Sequence, residues 1–433
     1  MPAIITSKYR LYNARQFIES VSEPANNNLY LFIGRATPWE NELVPPTITD
    51  RPSLDFDTWK SLIAMKKIAA SDMVLAAPKR TWSSGVIYDE YRHNYSPTNP
   101  AYSGATNLYA SNFFVITDQL NVYKCISNNN NGISTVKPSG NSTSIFGTAD
   151  GYFWKYLYTV SVGNSAKFSA TTFIPVESNS TVSAAAIDGA IHRIRVVSGG
   201  SGYVTAPSVT ITGDGTGATA TATITGGSVT GITMTNIGTG YRNATVTFDY
   251  GTATAEAIIS PYGGHGSDNY DEIGGYRIIM NVKLEYGESG KFPVSNDYRN
   301  IGIISDPTNF GTSTISTTTL LNAMSGIDFT TVTGEYQVDE LITGQTSGAT
   351  ARVVSWDTVN KIIRYVRTTN ENNIAFQVGE TVLGSTSGAG GAVTALLNPD
   401  VNKYSGDILY NETRTAISRA TDQIDSITLV VQF

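Results

Sequence analysis

Gly217-Ala218-Thr219-Ala220-Thr221-Ala222-Thr223-Ile224 alternates apolar and hydroxyl side chains, and Thr252-Ala253-Thr254-Ala255-Glu256-Ala257-Ile258-Ile259 does nearly the same. A period of two places the apolar set on one face of a strand and the polar set on the other. Thr and Val suit the pleated, half-buried surface of a sheet, while Gly and Asn supply turns. The bias runs through all 433 residues, which contain 40 Gly and only 15% charged residues. Such a composition predicts a mainly β fold of many short strands with few helices.

The two alternating stretches belong to a duplication. Gly202-Tyr203 returns as Gly240-Tyr241, and Ile191 to Val197 aligns with Val229 to Thr235, both at a spacing of 38. A fixed period of this length marks a repeated supersecondary unit, here of about three short strands. An unrelated repeat follows. Val338-Asp339-Glu340-Leu341-Ile342-Thr343-Gly344 matches Val378-Gly379-Glu380-Thr381-Val382-Leu383-Gly384, and Thr346-Ser347-Gly348-Ala349 matches Thr386-Ser387-Gly388-Ala389, at a spacing of 40.

Strands of a different style flank these repeats, at Ile278 to Leu284 and Ile301 to Ser305. The repeats therefore read as insertions at 186–260 and 328–398. They interrupt a parent domain made of 1–90, 261–327 and 399–433, with a second β domain at 91–185. Helices are expected only near the start. One follows Asn13 as N-cap, with Phe17, Ile18 and Val21 on one face. Another starts at Asp57, with Trp59, Leu62 and Ile63 as its stripe and Met65 and Ile68 extending it. Leu29 to Ile33 reads as a strand closed by Gly34, and Tyr152, Trp154, Tyr156 and Tyr158 recur with the period of a single sheet face.

The formal charge is −7, with 29 Lys and Arg against 36 Asp and Glu and no basic run. Nucleic acid is not an expected partner, because phosphate binding needs clustered cations. The start of the chain has no apolar core of signal-peptide length, and no stretch reaches a membrane span, so a soluble product made in a cytoplasm is expected. Cys125 is the single cysteine, which rules out an intrachain disulfide and a cysteine metal cluster. It reads as a buried thiol in a strand.

His93, His192 and His265 are the three histidines, distant from one another in sequence. Nucleophile elbow, zinc-protease and phosphate-loop motifs are missing. His265, between Gly264 and Gly266, reads as a residue that pins a loop. Asp268, Asp271 and Glu272 cluster, and a glycan-cleaving protein needs two carboxylates across a cleft, but the cluster reads as a water-facing loop. Asp214 between two glycines reads as a turn, since calcium takes six or more oxygens. The aromatic ladder reads as a packed face, and Trp39 as an anchor of either a core or an interface. No residue is assigned a catalytic, cofactor-binding or metal role, and interface residues stay unassigned.

Five collinear patches carry a family resemblance. They are Ile5-Thr6-Ser7-Lys8-Tyr9-Arg10 with Leu31-Phe32-Ile33-Gly34-Arg35-Ala36-Thr37-Pro38-Trp39; Tyr123-Lys124-Cys125; Asp150-Gly151-Tyr152-Phe153-Trp154-Lys155-Tyr156-Leu157; Arg299-Asn300-Ile301-Gly302-Ile303-Ile304-Ser305-Asp306-Pro307; and the tail from Ser405 to Phe433. Together they resemble the baseplate wedge subunit family called gene product eight in T-even-like contractile-tailed phages (myoviruses). The resemblance skips both repeats. It implies a β-sandwich parent domain built from both chain ends, a homodimer, contacts with other wedge subunits, and a place in the virion tail baseplate. A structural, non-enzymatic role without cofactors is the resulting expectation. A receptor- or carbohydrate-binding tail protein, with weak glycan contact through the repeats, is the alternative.

Overall fold

The computed structural model describes residues 4–23, 27–293, 296–368, 370–420 and 422–433. The fold is mainly β, with 42% of residues in strands and 12% in helices. Two compact units form, each from separate stretches of chain. One contains Met1–Arg15, Val74–Ile279 and Val430–Phe433, the other Gln16–Met73 and Met280–Leu429.

The second unit is organised on an antiparallel five-stranded sheet. Its order is Leu320–Asn322, Leu62–Lys67, Leu29–Gly34, Asp297–Ser305 and Asp407–Ser418. The Leu29–Gly34 strand is buried at every position, as an uninterrupted apolar run demands when both faces are covered. Tyr30, Phe32, Trp59, Leu62, Met65 and Ile304 pack as its core.

The helix expected from Asp57 starts earlier and ends sooner. It spans Pro52–Ser61, with proline in its first turn where no N–H partner is needed. Leu62 to Lys67 is instead a strand whose first four residues are buried. Pairing with Leu29–Gly34 on one side and Leu320–Asn322 on the other overrides the helical spacing. The first helix also starts upstream of the expected cap. It covers Ser7–Ser22, and Thr6 Oγ1 accepts the Tyr9 amide at 3.3 Å, so Asn13 lies inside the helix.

The 40-residue repeat closes a six-stranded barrel. Its order is Ser325–Thr333, Ile362–Val366, Thr350–Asp357, Leu341–Gly344, Thr381–Gly384 and Gly390–Leu397. The copies meet where Ile342 pairs with Gly384 and Gly344 with Val382, about a local two-fold centre at Thr343 and Leu383. Ile327, Phe329, Ile342, Val353, Ile363 and Val382 fill the interior. The strands that precede and follow the barrel, Leu320–Asn322 and Asp407–Ser418, form the two edges of the five-stranded sheet.

In the first unit the 38-residue repeat makes three antiparallel pairs, each joining a strand of one copy to a strand of the other. Ile191–Ser198 pairs with Thr254–Ile259, Val209–Gly213 with Ala244–Phe248, and Thr216–Thr225 with Ser228–Thr239. Tyr203 and Tyr241, the matched tyrosines, are both buried. Tyr203 Oη accepts the Ala253 amide at 2.9 Å and Tyr241 Oη accepts the Ala218 amide at 3.3 Å, so each tyrosine is tied to a small-residue stretch.

A separate four-stranded sheet has the order Phe114–Ile116, Asn121–Asn128, Tyr152–Thr159 and Phe146–Gly147. Only three of the four ladder aromatics share a face. Tyr158 pairs with Val122 but Tyr156 pairs with Tyr123, so Leu157 is an extra residue, and this bulge reverses the alternation. Tyr152, Trp154 and Tyr156 pack with Tyr123 and Cys125, whereas Tyr158 joins Phe113, Phe114 and Ile174.

Candidate functional site

The Asn121–Asn128 and Tyr152–Thr159 strands place Lys124 directly opposite Lys155. Both side chains are buried, at 0% and 4% exposure. Like charges opposite one another on a ladder repel, and burial adds a desolvation cost. Lys124 resolves its part through Glu272, whose Oε2 lies 2.6 Å from the ammonium. It also sits 3.9 Å above the Tyr91 ring. The other Glu272 oxygen accepts the Gly266 amide. Lys155 donates to the Thr143 carbonyl and has no carboxylate in ion-pair reach among the described residues.

Glu272 arrives on the short Asn269–Glu272 helix, which is capped by Asp268 through the amides of Tyr270 and Asp271. The acidic cluster of the sequence thus divides into three jobs. Asp268 caps the helix and pairs with Arg15 at 3.1 Å, Asp271 stands 3.8 Å from Lys8, and Glu272 is buried against Lys124. Reading all three as water-facing fails at Glu272, because a buried lysine on the neighbouring sheet needs its charge.

His265 is buried at 3% exposure beside Glu272, with its Nδ1 3.9 Å from Glu272 Oε2 and making no hydrogen bond. Gly266 supports this placement, since its positive φ of 91° and the nearby Val182 methyl leave no room for a Cβ. The His265 ring stacks edge-on to Tyr91 at 4.9 Å and lies 5.3 Å from His192. Sequence distance hid this histidine pair, which the Ile191–Ser198 strand delivers. Burial, then the Lys155 and Lys124 charges, push His192 down to about 4. Burial and Lys124, His192 and Lys155 push His265 down as well. Both rings are therefore neutral near pH 7. Lys155, His192 and His265 line a cavity of about 280 Å³, whose wall is completed by Thr143, Ile187 and Ile237.

The remaining residues singled out by sequence are structural in their contacts. Cys125 is fully buried, and burial pushes its thiol well above the usual range, which suppresses thiolate chemistry. Asp214 accepts the amides of Arg242 and Asn243 at 2.8 and 2.9 Å and so fixes a turn. Trp39 is half-buried, donates from Nε1 to the Arg414 carbonyl at 2.8 Å, and carries the Arg35 guanidinium 3.7 Å above its ring. With Pro38, Pro46 and Leu54 this pair lines a groove of about 740 Å³. His93 is exposed. Among the described residues, no group of three or more His, Cys, Asp or Glu side chains is placed to hold a metal ion, and no helix is long and apolar enough to cross a membrane.

Comparison with known proteins agrees with the N-terminal patches. The family model described as Bacteriophage T4, Gp8 matches residues 3–136, which include Ile5 to Arg10, Leu31 to Trp39 and Tyr123 to Cys125. Baseplate wedge protein gp8 of Enterobacteria phage T4 is 26% identical over 198 residues, covering 36% of this chain and 55% of that protein. The chain thus matches about half the length of this relative. Both findings are similarities to the gp8 baseplate wedge protein, over part of this chain.

Proposed function

We propose that the chain is a structural virion protein, a baseplate wedge subunit of a contractile phage tail that assembles as a homodimer with other wedge proteins. The observation that carries this reading is the match to the T4 wedge protein together with the match of residues 3–136 to its family model. Its work is geometric: to present fixed surfaces to its neighbours in the tail. Rigidity is supplied by groups such as the fully buried Lys124–Glu272 pair, which tolerates little displacement. The division into an interrupted parent domain and two inserted repeats belongs to the same proposal. It is supported at 328–398 by the five-stranded sheet, which holds Leu320–Asn322 before the barrel and Asp407–Ser418 after it, so the chain leaves this sheet and returns to it.

A stable assembly contact should bury at least about 1,000 Å². Light scattering of the purified protein should give the mass of a dimer, and the dimer should retain wedge proteins of the same phage in a pull-down. A strict monomer that retains none of them overturns the proposal. A second reading, glycan contact through the 38-residue repeat, is favoured by one observation. Thr219, Thr221, Thr223 and Thr225 are exposed on a single face of the Thr216–Thr225 strand. Glycan-array binding that disappears on deletion of 190–260 is the result it requires.

A further inference from the structure

We propose that the cavity lined by Lys155, His192 and His265 binds one small oxyanion. Two buried ammonium groups, on Lys124 and Lys155, face a single buried carboxylate, that of Glu272. The two neighbouring imidazoles are neutral near pH 7 and cannot offset the remaining positive charge. A buried ionic cluster is costly when one charge lacks a counterion. The unmatched ammonium lines the cavity, together with a 3%-exposed histidine whose Nδ1 makes no hydrogen bond.

The lining selects the ligand class. Thr143 and Ser144 bring polar groups to one side, whereas Ile145, Ile187 and Ile237 keep the rest apolar. A cation is repelled by the two lysines. A water molecule satisfies hydrogen bonds but leaves the charge unmatched. A negatively charged oxygen cluster does both, through charge-assisted bonds from Lys155 and an N–H of either imidazole. The volume of about 280 Å³ admits an ion of phosphate or sulfate size together with water.

The three histidines make the test selective, because His93 does not line the cavity. Inorganic phosphate is titrated into the full chain at constant ionic strength, with chloride as the control, and the imidazole Cε1–H resonances are followed. His192 and His265 should shift together and saturate at one phosphate per chain, with His93 unmoved. An anion beside the imidazoles favours their charged forms, so both should then titrate at higher pH than without phosphate. Lys155→Met should weaken binding by about tenfold or more, through loss of the charged donor. Lys137→Met, which alters an exposed lysine, should leave binding unchanged. Shifts of all three histidines without saturation, or equal affinity in the Lys155→Met chain, overturn the proposal. Should Lys155→Met fail to fold, the histidine shifts of the unaltered chain decide it alone.

Discussion

Ser387 Oγ donates to Glu340 Oε1 at 2.8 Å, and Ser347 Oγ repeats the contact with Glu380 Oε1 at 2.9 Å. Each glutamate therefore clasps the Thr-Ser-Gly-Ala turn of the other repeat copy. The amides of Thr386 and Ser387 also donate to Glu340, and those of Thr346 and Ser347 to Glu380. Burial pushes the Glu340 carboxyl up, but the Ser387 and Gln337 amides, with the Ser387 hydroxyl and Thr386 amide, outweigh it and hold the group below its ordinary range. Glu380 is lowered in the same way. A carboxylate lowered in the folded state adds stability above its unfolded value of about 4.3, and that stability is lost as pH falls through the folded value. Glu340→Gln should cost about 1–3 kcal/mol at pH 7 in urea unfolding followed through Trp356, and should flatten the acid dependence. Unchanged stability at pH 7 would sink the clasp as a stabilising contact.

Gly302 occupies the middle of the Asp297–Ser305 strand, between Phe32 and Asn411 in the paired strands. A Cβ there would overlap the Tyr410 carbonyl oxygen and the Phe32 ring. Relief would require movement of backbone within the sheet, so overpacking of about 1–3 kcal/mol or more is expected for Gly302→Ala. Gly163→Ala is the contrast, because no atom lies within 4 Å of its added Cβ in the Val162–Phe168 helix. Denaturant midpoints should fall for the first and hold or rise for the second.

Much of this was legible because periodicity and repetition are local signals. The 38- and 40-residue spacings and the β class follow from the order of residues alone, and the spacing of 40 even brackets the clasp, since Glu340 and Glu380 sit in one matched motif and Ser347 and Ser387 in the other. What sequence could not reveal was that each copy serves its partner and not itself. The same limit applies at Leu62 to Lys67, where helical spacing competes with sheet neighbours hundreds of residues away. At Leu157 a single bulged residue reversed an otherwise regular alternation. The buried charge cluster was invisible for a related reason. Lys124, Lys155, His192, His265 and Glu272 come from four separate segments, and only the adjacent Gly264-His265-Gly266 hinted at a tightly packed loop.

The Lys124–Glu272 pair makes a prediction about partners. Removing one member of a fully buried pair strands the other charge, so Lys124→Met should cost about 3–5 kcal/mol. Replacing both, as Lys124→Met with Glu272→Leu, should recover a large part of that loss, because two desolvation costs vanish together. The double-mutant cycle is read by guanidinium unfolding of the four chains. Strictly additive losses would show that the pair is not coupled.

His192 separates a second pH window from that of the glutamates. Its folded value is about 4 against an ordinary 6.5, chiefly through burial and then through Lys155 and Lys124. Between those limits the unfolded chain binds the extra proton, so this histidine favours unfolding as pH drops. Its contribution to stability should be complete above about pH 6.5 and lost progressively toward pH 4, ahead of the Glu340 and Glu380 losses. In phosphate-free buffer the His192 Cε1–H resonance should stay at its neutral position down to pH 5. Lys155→Met removes the larger of the two lysine contributions and should move the titration to higher pH, with a correspondingly shallower fall of the urea midpoint between pH 7 and 5. A His192 titration near 6.5 in the unaltered folded chain would contradict both the burial and the lysine field assigned to it.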